Sequence, residues 1–428
     1  SETNAAGDSV LYSYDGLNRL IAQVDALSRN QLFSYDKLNN LLSQTDAKGR
    51  TSQFTYDNSN RLLNSTDALS GTTTQSYTLN GQRASLTDAN NNTLKYSYDD
   101  EGRLVRLTTA DNKYWQAVFN ARGAVKKVIN ARGQDSQFTY DDALRLTSTI
   151  ETTGDVSYEY DANGNRTKAA TTQGDWLYTY DALDRLITHT DVYGSLIQYQ
   201  YDAVNQLKVL TYPDGKQVNY LYDQAGQLTK VTDWESRETS YSYDALGRLI
   251  TTLHSNGLVT DYSYDKASQL TGKTTKNSTN TEVINYDYSY DLAGLLTQET
   301  GFNSLKPAPV ITNISYGLDN RALTANNQSV QYDFDGNMTS GWLNYGMTAF
   351  IYDARNRLTS AGGMNYQYNP DNHRIASAQN GNTTRYVVNP ATSLEQVLME
   401  TDENGTVNAW NVYGKGLIGR QGVAGDYN

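Results

Sequence analysis

Aromatic and polar residues alternate along this chain in short bursts, and the bursts recur. Tyr12-Ser13-Tyr14, Phe54-Thr55-Tyr56, Tyr96-Ser97-Tyr98 and Tyr241-Ser242-Tyr243 each set two rings two residues apart with a small polar residue between. Residues two apart on a strand share a face, and aromatic and hydroxyl residues in alternation predict a half-buried strand. The aromatic-x-Tyr-Asp pattern falls at Tyr14, Tyr35, Tyr56, Tyr98, Tyr140, Tyr160, Tyr180, Tyr201, Tyr222, Tyr243, Tyr264 and Tyr290, with weaker copies at Tyr77, Phe119, Tyr316, Phe334, Tyr352 and Tyr368. From Tyr14 to Tyr264 every step is 20 or 21 residues. A period that strict marks a tandem repeat.

Most Tyr-Asp pairs are followed, four residues after the Tyr, by a Gly or Asn: Asn18, Asn39, Asn60, Gly102, Gly164, Gly226, Gly247 and their equivalents. Gly and Asn enter the left-handed backbone region most cheaply, so this position predicts a turn residue with positive φ. The Asp before it is suited to accept a backbone N–H in an Asx-turn. Two residues further on, Leu20, Leu41, Leu62, Leu104 and their equivalents open a second strand. A second turn signal follows, as in Asp46-Ala-Lys-Gly49, Asn130-Ala-Arg-Gly133, Pro213-Asp214-Gly215 and Ser255-Asn256-Gly257. Two strands and two reversals per period predict an all-β fold: antiparallel hairpin repeats of about 21 residues running on as one meander.

About eighteen anchors with two strands each would make a strip about 170 Å long at the usual strand spacing. Open sheets rarely exceed about ten strands without curling, so a spiral or a wide wall is expected. The rival geometry is a parallel solenoid of about 85 Å. The paired turn signals favour the antiparallel strip.

The sequence divides into a polar lead-in (1–9), the regular array (10–270), irregular insertions (271–310), degenerate repeats (311–380) and a final stretch of different texture (381–428). Thr271 to Asn280 reads as a Ser/Thr-rich insertion, and Lys306-Pro307-Ala308-Pro309 as an exposed loop. Leu394–Glu400 reads as a strand, with a single helical turn as the alternative. Ser1 in place of Met, with no signal peptide visible, suggests an excised segment, and neither end reads as a finished cap.

Composition adds little to this. The net charge is −12 with 19% charged residues, which argues against nucleic acid or an anionic membrane as partner. There is no cysteine, and no run has the apolar length of a membrane helix. Thirty-five tyrosines supply much of the apolar surface, as suits a thin sheet without a thick core.

Tyr14-Asp-Gly-Leu-Asn-Arg-Leu20, Tyr98-Asp-Asp-Glu-Gly-Arg-Leu104 and Tyr243-Asp-Ala-Leu-Gly-Arg-Leu249 resemble the YD or RHS repeat over about residues 10–380. Tyr413-Gly-Lys-Gly-Leu-Ile418 resembles the stretch that precedes the end of bacterial RHS arrays. The resemblance is to bacterial RHS-type toxin shells and, through them, to Tc toxin B and C components and to the teneurin YD shells used in adhesion. It implies a sheet wound into part of a hollow shell that encloses the protein's own C-terminal toxin or core domain. It further implies a secreted or cell-surface bacterial setting. The Asp-Pro-x-Gly-Leu motif of the self-cleaving core is missing, since the chain has no Asp-Pro pair. Self-cleavage is therefore not carried over.

No catalytic residue, metal ligand or cofactor site is expected. His189, His254 and His373 lie far apart at different repeat phases and read as spare surface histidines. The recurring Asp reads as turn capping, and Asp161-Ala-Asn-Gly-Asn165 is a poor calcium loop. The tyrosine ladder reads as cross-strand packing. The alternative is a platform for glycans or partner proteins on a surface adhesin.

Overall fold

The computed structural model describes residues 1–152, 154–303, 313–343 and 346–423. Every regular element among them is a strand, and each ladder pairs a strand antiparallel to its chain neighbour. Twenty-nine strands, from Glu2–Thr3 to Leu296–Asn303, form one sheet; smaller sheets of three and ten strands follow. Among the described residues no pairing joins Leu296–Asn303 to Glu2–Thr3, so the sheet is not closed into a barrel.

One hairpin shows why the repeat folds as it does. Ser9–Tyr14 pairs with Leu20–Val24, and the two are joined by Asp15 to Arg19. Asn18 N–H donates to the Asp15 carbonyl at 3.0 Å, and Asp15 N–H to the Arg19 carbonyl at 2.9 Å. Three residues thus lie inside the closing pair: a type I turn followed by a left-handed residue. A register shift at Ser13/Tyr14 leaves Ile21 unpaired, a bulge that recurs at Ser34/Tyr35 and Thr55/Tyr56. Bulges sharpen local twist.

The turn residues take the left-handed conformation: Asn18 at φ 62°, Asn39 at 69°, Asn60 at 60°, Gly102 at 81°, Gly164 at 95°, Gly226 at 80° and Gly247 at 77°. Leu144, Asp184 and Ser268 occupy the same position at φ 63°, 60° and 63°. A branched side chain there costs on the order of 1–2 kcal/mol. Leu144 is substantially exposed, so its side chain contributes little packing. Leu144→Asn is therefore expected to stabilise its hairpin by about 1 kcal/mol, read as slower amide exchange over 135–151.

Two compact units contain these strands: Ser1–Ser97 with Thr239–Ala308, and Tyr98–Glu238 with Pro309–Asn428. The second unit holds a two-layer core. Trp176, Tyr178, Ile197, Tyr199, Val218 and Tyr220 are buried on one face of the array. Trp176 and Tyr178 pack with Val156 and Ala169 against Ile375 and Val388. Tyr199 Oη donates to Asn389 Oδ1 at 2.7 Å and Tyr212 Oη to the Asn411 carbonyl at 2.6 Å. The expectation of a thin, coreless sheet fails here. Strands from 374 to 412, far away in sequence, supply the second layer and bury the aromatic face.

Other differences are local. The Ser/Thr-rich stretch is taken up in longer strands, Leu270–Lys276 and Glu282–Tyr290, around a turn at Asn277–Thr281. Phe334 is not an anchor but sits exposed at a hairpin tip, because Tyr332-Asp333 with Gly336 at φ 87° sets the phase. The strand expected at Leu394–Glu400 begins at Val397. Lys306-Pro307-Ala308-Pro309 lies outside the described residues.

Candidate functional site

The anchor residues Tyr, Asp and Arg form one connected lock, repeated from hairpin to hairpin. Asp57 shows the first part. Its Oδ1 accepts the N–H groups of Ser59 and Arg61 at 2.8 and 3.0 Å, and its Oδ2 accepts Arg61 Nε at 2.7 Å. These donors, the Arg61 side chain foremost, hold the Asp57 carboxyl below the usual range. Asp15 with Arg19, Asp141 with Arg145, Asp181 with Arg185 and Asp244 with Arg248 repeat the arrangement.

The arginine then reaches the next repeat. Arg19 lies over the Tyr35 ring at 5.0 Å, Arg145 over Tyr160 at 5.0 Å, Arg185 over Tyr201 at 4.9 Å and Arg248 over Tyr264 at 4.7 Å. Each such contact is worth on the order of 0.5–1 kcal/mol. Arg19 Nη1 donates to the Asp36 carbonyl at 2.7 Å and to Asn39 Oδ1 at 3.1 Å, so it binds the neighbouring turn as well.

The tyrosine closes the link in the other direction. Tyr35 Oη donates to the Leu20 carbonyl at 2.9 Å, and Tyr56 to that of Leu41 at 3.0 Å. Tyr140, Tyr160, Tyr180, Tyr201, Tyr222, Tyr264 and Tyr290 bond to the preceding hairpin in the same way. Tyr14, in the first hairpin, is exposed; Tyr98 and Tyr243 make contacts of their own. Tyr56→Phe, which removes one such bond, is expected to lose about 1 kcal/mol locally. Faster amide exchange confined to 41–66 would report it. Sequence reasoning took the tyrosines as packing residues and missed both the hydroxyl bond and the arginine bridge. The frequent co-occurrence of Tyr, Asp and Arg was the signal available.

Within each unit, distant parts also meet turn to turn. Among the described residues, at four turns another residue stands where the repeat arginine belongs, and a cation comes from elsewhere in the same unit. Arg29 Nη1 donates to Gln269 Oε1 at 2.7 Å, and Lys48 Nζ lies 3.2 Å from Asp291 Oδ2, where Leu295 replaces arginine. Arg132 Nε lies 2.6 Å from Asp335 Oδ2 beside Asn337. Arg166 pairs twice with Asp371, at 2.7 and 2.6 Å, beside His373.

The histidines are not all surface residues. His189 is 3% exposed, with its ring tilted against that of Tyr178 at 4.8 Å between centroids, and its Nδ1 has no hydrogen-bond partner among the described residues. The spare-surface reading is wrong for it, because the second layer covers that face. Burial pushes its pKa down to about 4; Asp371 opposes this shift and Arg166 adds to it. A base with a lowered folded-state pKa contributes stability that is complete above its unfolded value of about 6.5. That contribution is lost as the pH falls from there towards 4. Acid is thus expected to loosen the core at 177–199, and His189→Phe to flatten the loss between pH 6.5 and 4 in an amide-exchange titration. His254 is half-buried and bonded to Thr260. Among the described residues no three His, Cys, Asp or Glu are placed to hold a metal ion. Among the described residues no helix is long and apolar enough to cross a membrane.

A family model described as teneurin YD-shell matches residues 66–212 and 149–301, and one described as RHS repeat matches 35–73. No curated protein matches the chain. The crystal structure of TcdB2–TccC3–Cdc42 resembles it with a TM-score of 0.66 at 14% identity, covering 98% of this chain and 28% of that one. The crystal structure of TcdB2–TccC3 gives 0.64 at 14% identity, with 98% and 29% covered. This chain thus spans less than a third of those chains, and at such identity the likeness concerns the fold. Locked Tyr-Asp-Arg hairpins in an open antiparallel sheet and a family match running through 66–301, more than half the sequence, place the chain in the teneurin YD-shell family, built of RHS repeats.

Proposed function

We propose that this chain is a non-enzymatic segment of a protein shell wall, and that the wall shields a C-terminal toxin polypeptide of a secreted bacterial protein. The observation behind this reading is where the repeat's polar groups go. Tyr hydroxyl and Arg guanidinium are spent on the neighbouring hairpin and the Asp carboxylate on its own turn, repeat after repeat. Such a device gives a long sheet continuity and rigidity. A wall of this kind works by excluding proteases and solvent from what lies behind it.

The test uses a protein that carries this segment together with a C-terminal polypeptide. Protease is expected to leave that polypeptide intact while the wall is folded, and to digest it once Arg132→Met and Arg166→Met loosen the turn contacts. Digestion at the rate of the free polypeptide, with the wall intact, would defeat the reading.

A further inference from the structure

The turn contacts carry a pattern that repeats at a place where nothing is docked. At the occupied site of the first unit, Gln269 Nε2 donates to the Gly294 carbonyl at 2.9 Å. Asp291 Oδ1 accepts the N–H groups of Ala293 and Leu295 at 2.8 and 3.0 Å. This leaves Gln269 Oε1 for Arg29 and Asp291 Oδ2 for Lys48, cations on two consecutive hairpin tips.

The second unit holds the same constellation in two consecutive repeats. Gln206 Nε2 donates to the Gly226 carbonyl at 3.2 Å, and Asp223 Oδ1 accepts the N–H groups of Ala225 and Gln227, each at 2.9 Å. Gly226 is left-handed at φ 80°, as Gly294 is at φ 80°. Gln206 and Gln227 stand where arginine would otherwise fill the carboxylates of Asp202 and Asp223. At other turns without arginine, Asn40 and Asn165 fill that place by donating Nδ2 to Asp36 and Asp161. Among the described residues, Asp223 Oδ2 and Gln206 Oε1 have no such partner. The two tips carry exposed Val204 and Ala225 at the turn positions that Ala267 and Ala293 hold at the occupied site.

We propose that the turns at Asp202 and Asp223 form an open receptor for two consecutive basic hairpin tips of another YD-repeat strip. Gln206 would take a guanidinium as Gln269 takes Arg29, and Asp223 a Lys or Arg as Asp291 takes Lys48. Charge complementarity selects the occupant: an acid and an amide acceptor one repeat apart fit two cations at the same spacing. This chain covers less than a third of the chains that share its fold, which leaves room for such a strip. The proposal does not depend on what the wall encloses.

The chain's own tips serve as the probe. Gln269→Ala with Asp291→Ala removes the resident receptor and frees Arg29 and Lys48 on a full-length donor. The chain has no cysteine, so Ala47→Cys on the donor and Ala225→Cys on a wild-type acceptor report on this contact alone. Ala47 shares a crevice with Ala293 at the occupied site, and Ala225 is the equivalent of Ala293. An oxidised donor–acceptor dimer is expected at low ionic strength, with severalfold lower yield at high salt. It should vanish with Gln206→Ala/Asp223→Ala on the acceptor, vanish with Lys48→Glu on the donor, and return when Lys48→Glu meets Asp223→Lys. Should the doubly substituted donor unfold, as judged by amide exchange over 41–66, Asp291→Asn alone replaces it. Absence of the dimer with a folded donor, or a yield indifferent to Gln206 and Asp223, would overturn the proposal.

Discussion

Trp176→Ala is expected to destabilise the two-layer core of the second unit by about 3–5 kcal/mol. Trp176 is 1% exposed, packed among Val156, Ala169, Tyr178, Ile375 and Val388. Truncation removes the largest fully buried side chain of the core and leaves a cavity that flanking strands, pinned on both sides by ladders, fill poorly. The loss should be regional, because a repeat array is stabilised by neighbour-to-neighbour terms. Amide protection should therefore fall over 156–199 and 374–388 while 20–66 keeps its own. A uniform drop along the whole chain would show that the array unfolds as one cooperative body.

The second large effect is expected at Arg132. Its Nε meets Asp335 at 2.6 Å, Nη1 donates to the Tyr352 carbonyl at 3.2 Å, and Nη2 meets the Asp353 carbonyl and Asn356 Oδ1 at 2.5 and 2.8 Å. It reproduces from a distance what Arg185 does locally for the turn at Asp202. The Asp335 side chain is 0% exposed. Arg132→Met leaves that carboxylate buried with no cation, a change of the class that costs about 3–5 kcal/mol. Faster exchange at 331–343 and 349–361 would report it. Asp335→Asn in the Arg132→Met background should recover part of the loss, since the stranded charge is then gone. Lack of recovery would mean that the carbonyl and Asn356 contacts carry most of the energy.

The parts of the lock were not equally legible. The Tyr period, the Asp cap and the left-handed Gly or Asn could be read directly, because each is a local demand of a three-residue hairpin loop. The tyrosine hydroxyl bond and the arginine bridge connect neighbouring repeats, so a one-repeat view hides them. The burial of His189 was illegible for a different reason: Ile375 and Val388, in the layer over its face, lie nearly two hundred residues away and carry no mark of their partner. The cations at Gln269, Asp291, Asp335 and Asp371 were equally hidden. Only a missing repeat arginine hints at each.

By itself the sequence determined the unit and its direction: two strands and two tight reversals every 20 or 21 residues, which dictate antiparallel neighbours. Those are local properties, set by backbone conformation at one residue and by alternation over five or six. The tertiary structure decided which stretches of the strip lie against one another, which aromatic face is buried, and which turns exchange cations. Such choices depend on how the small twist of many hairpins accumulates, and on packing between segments that no local pattern relates.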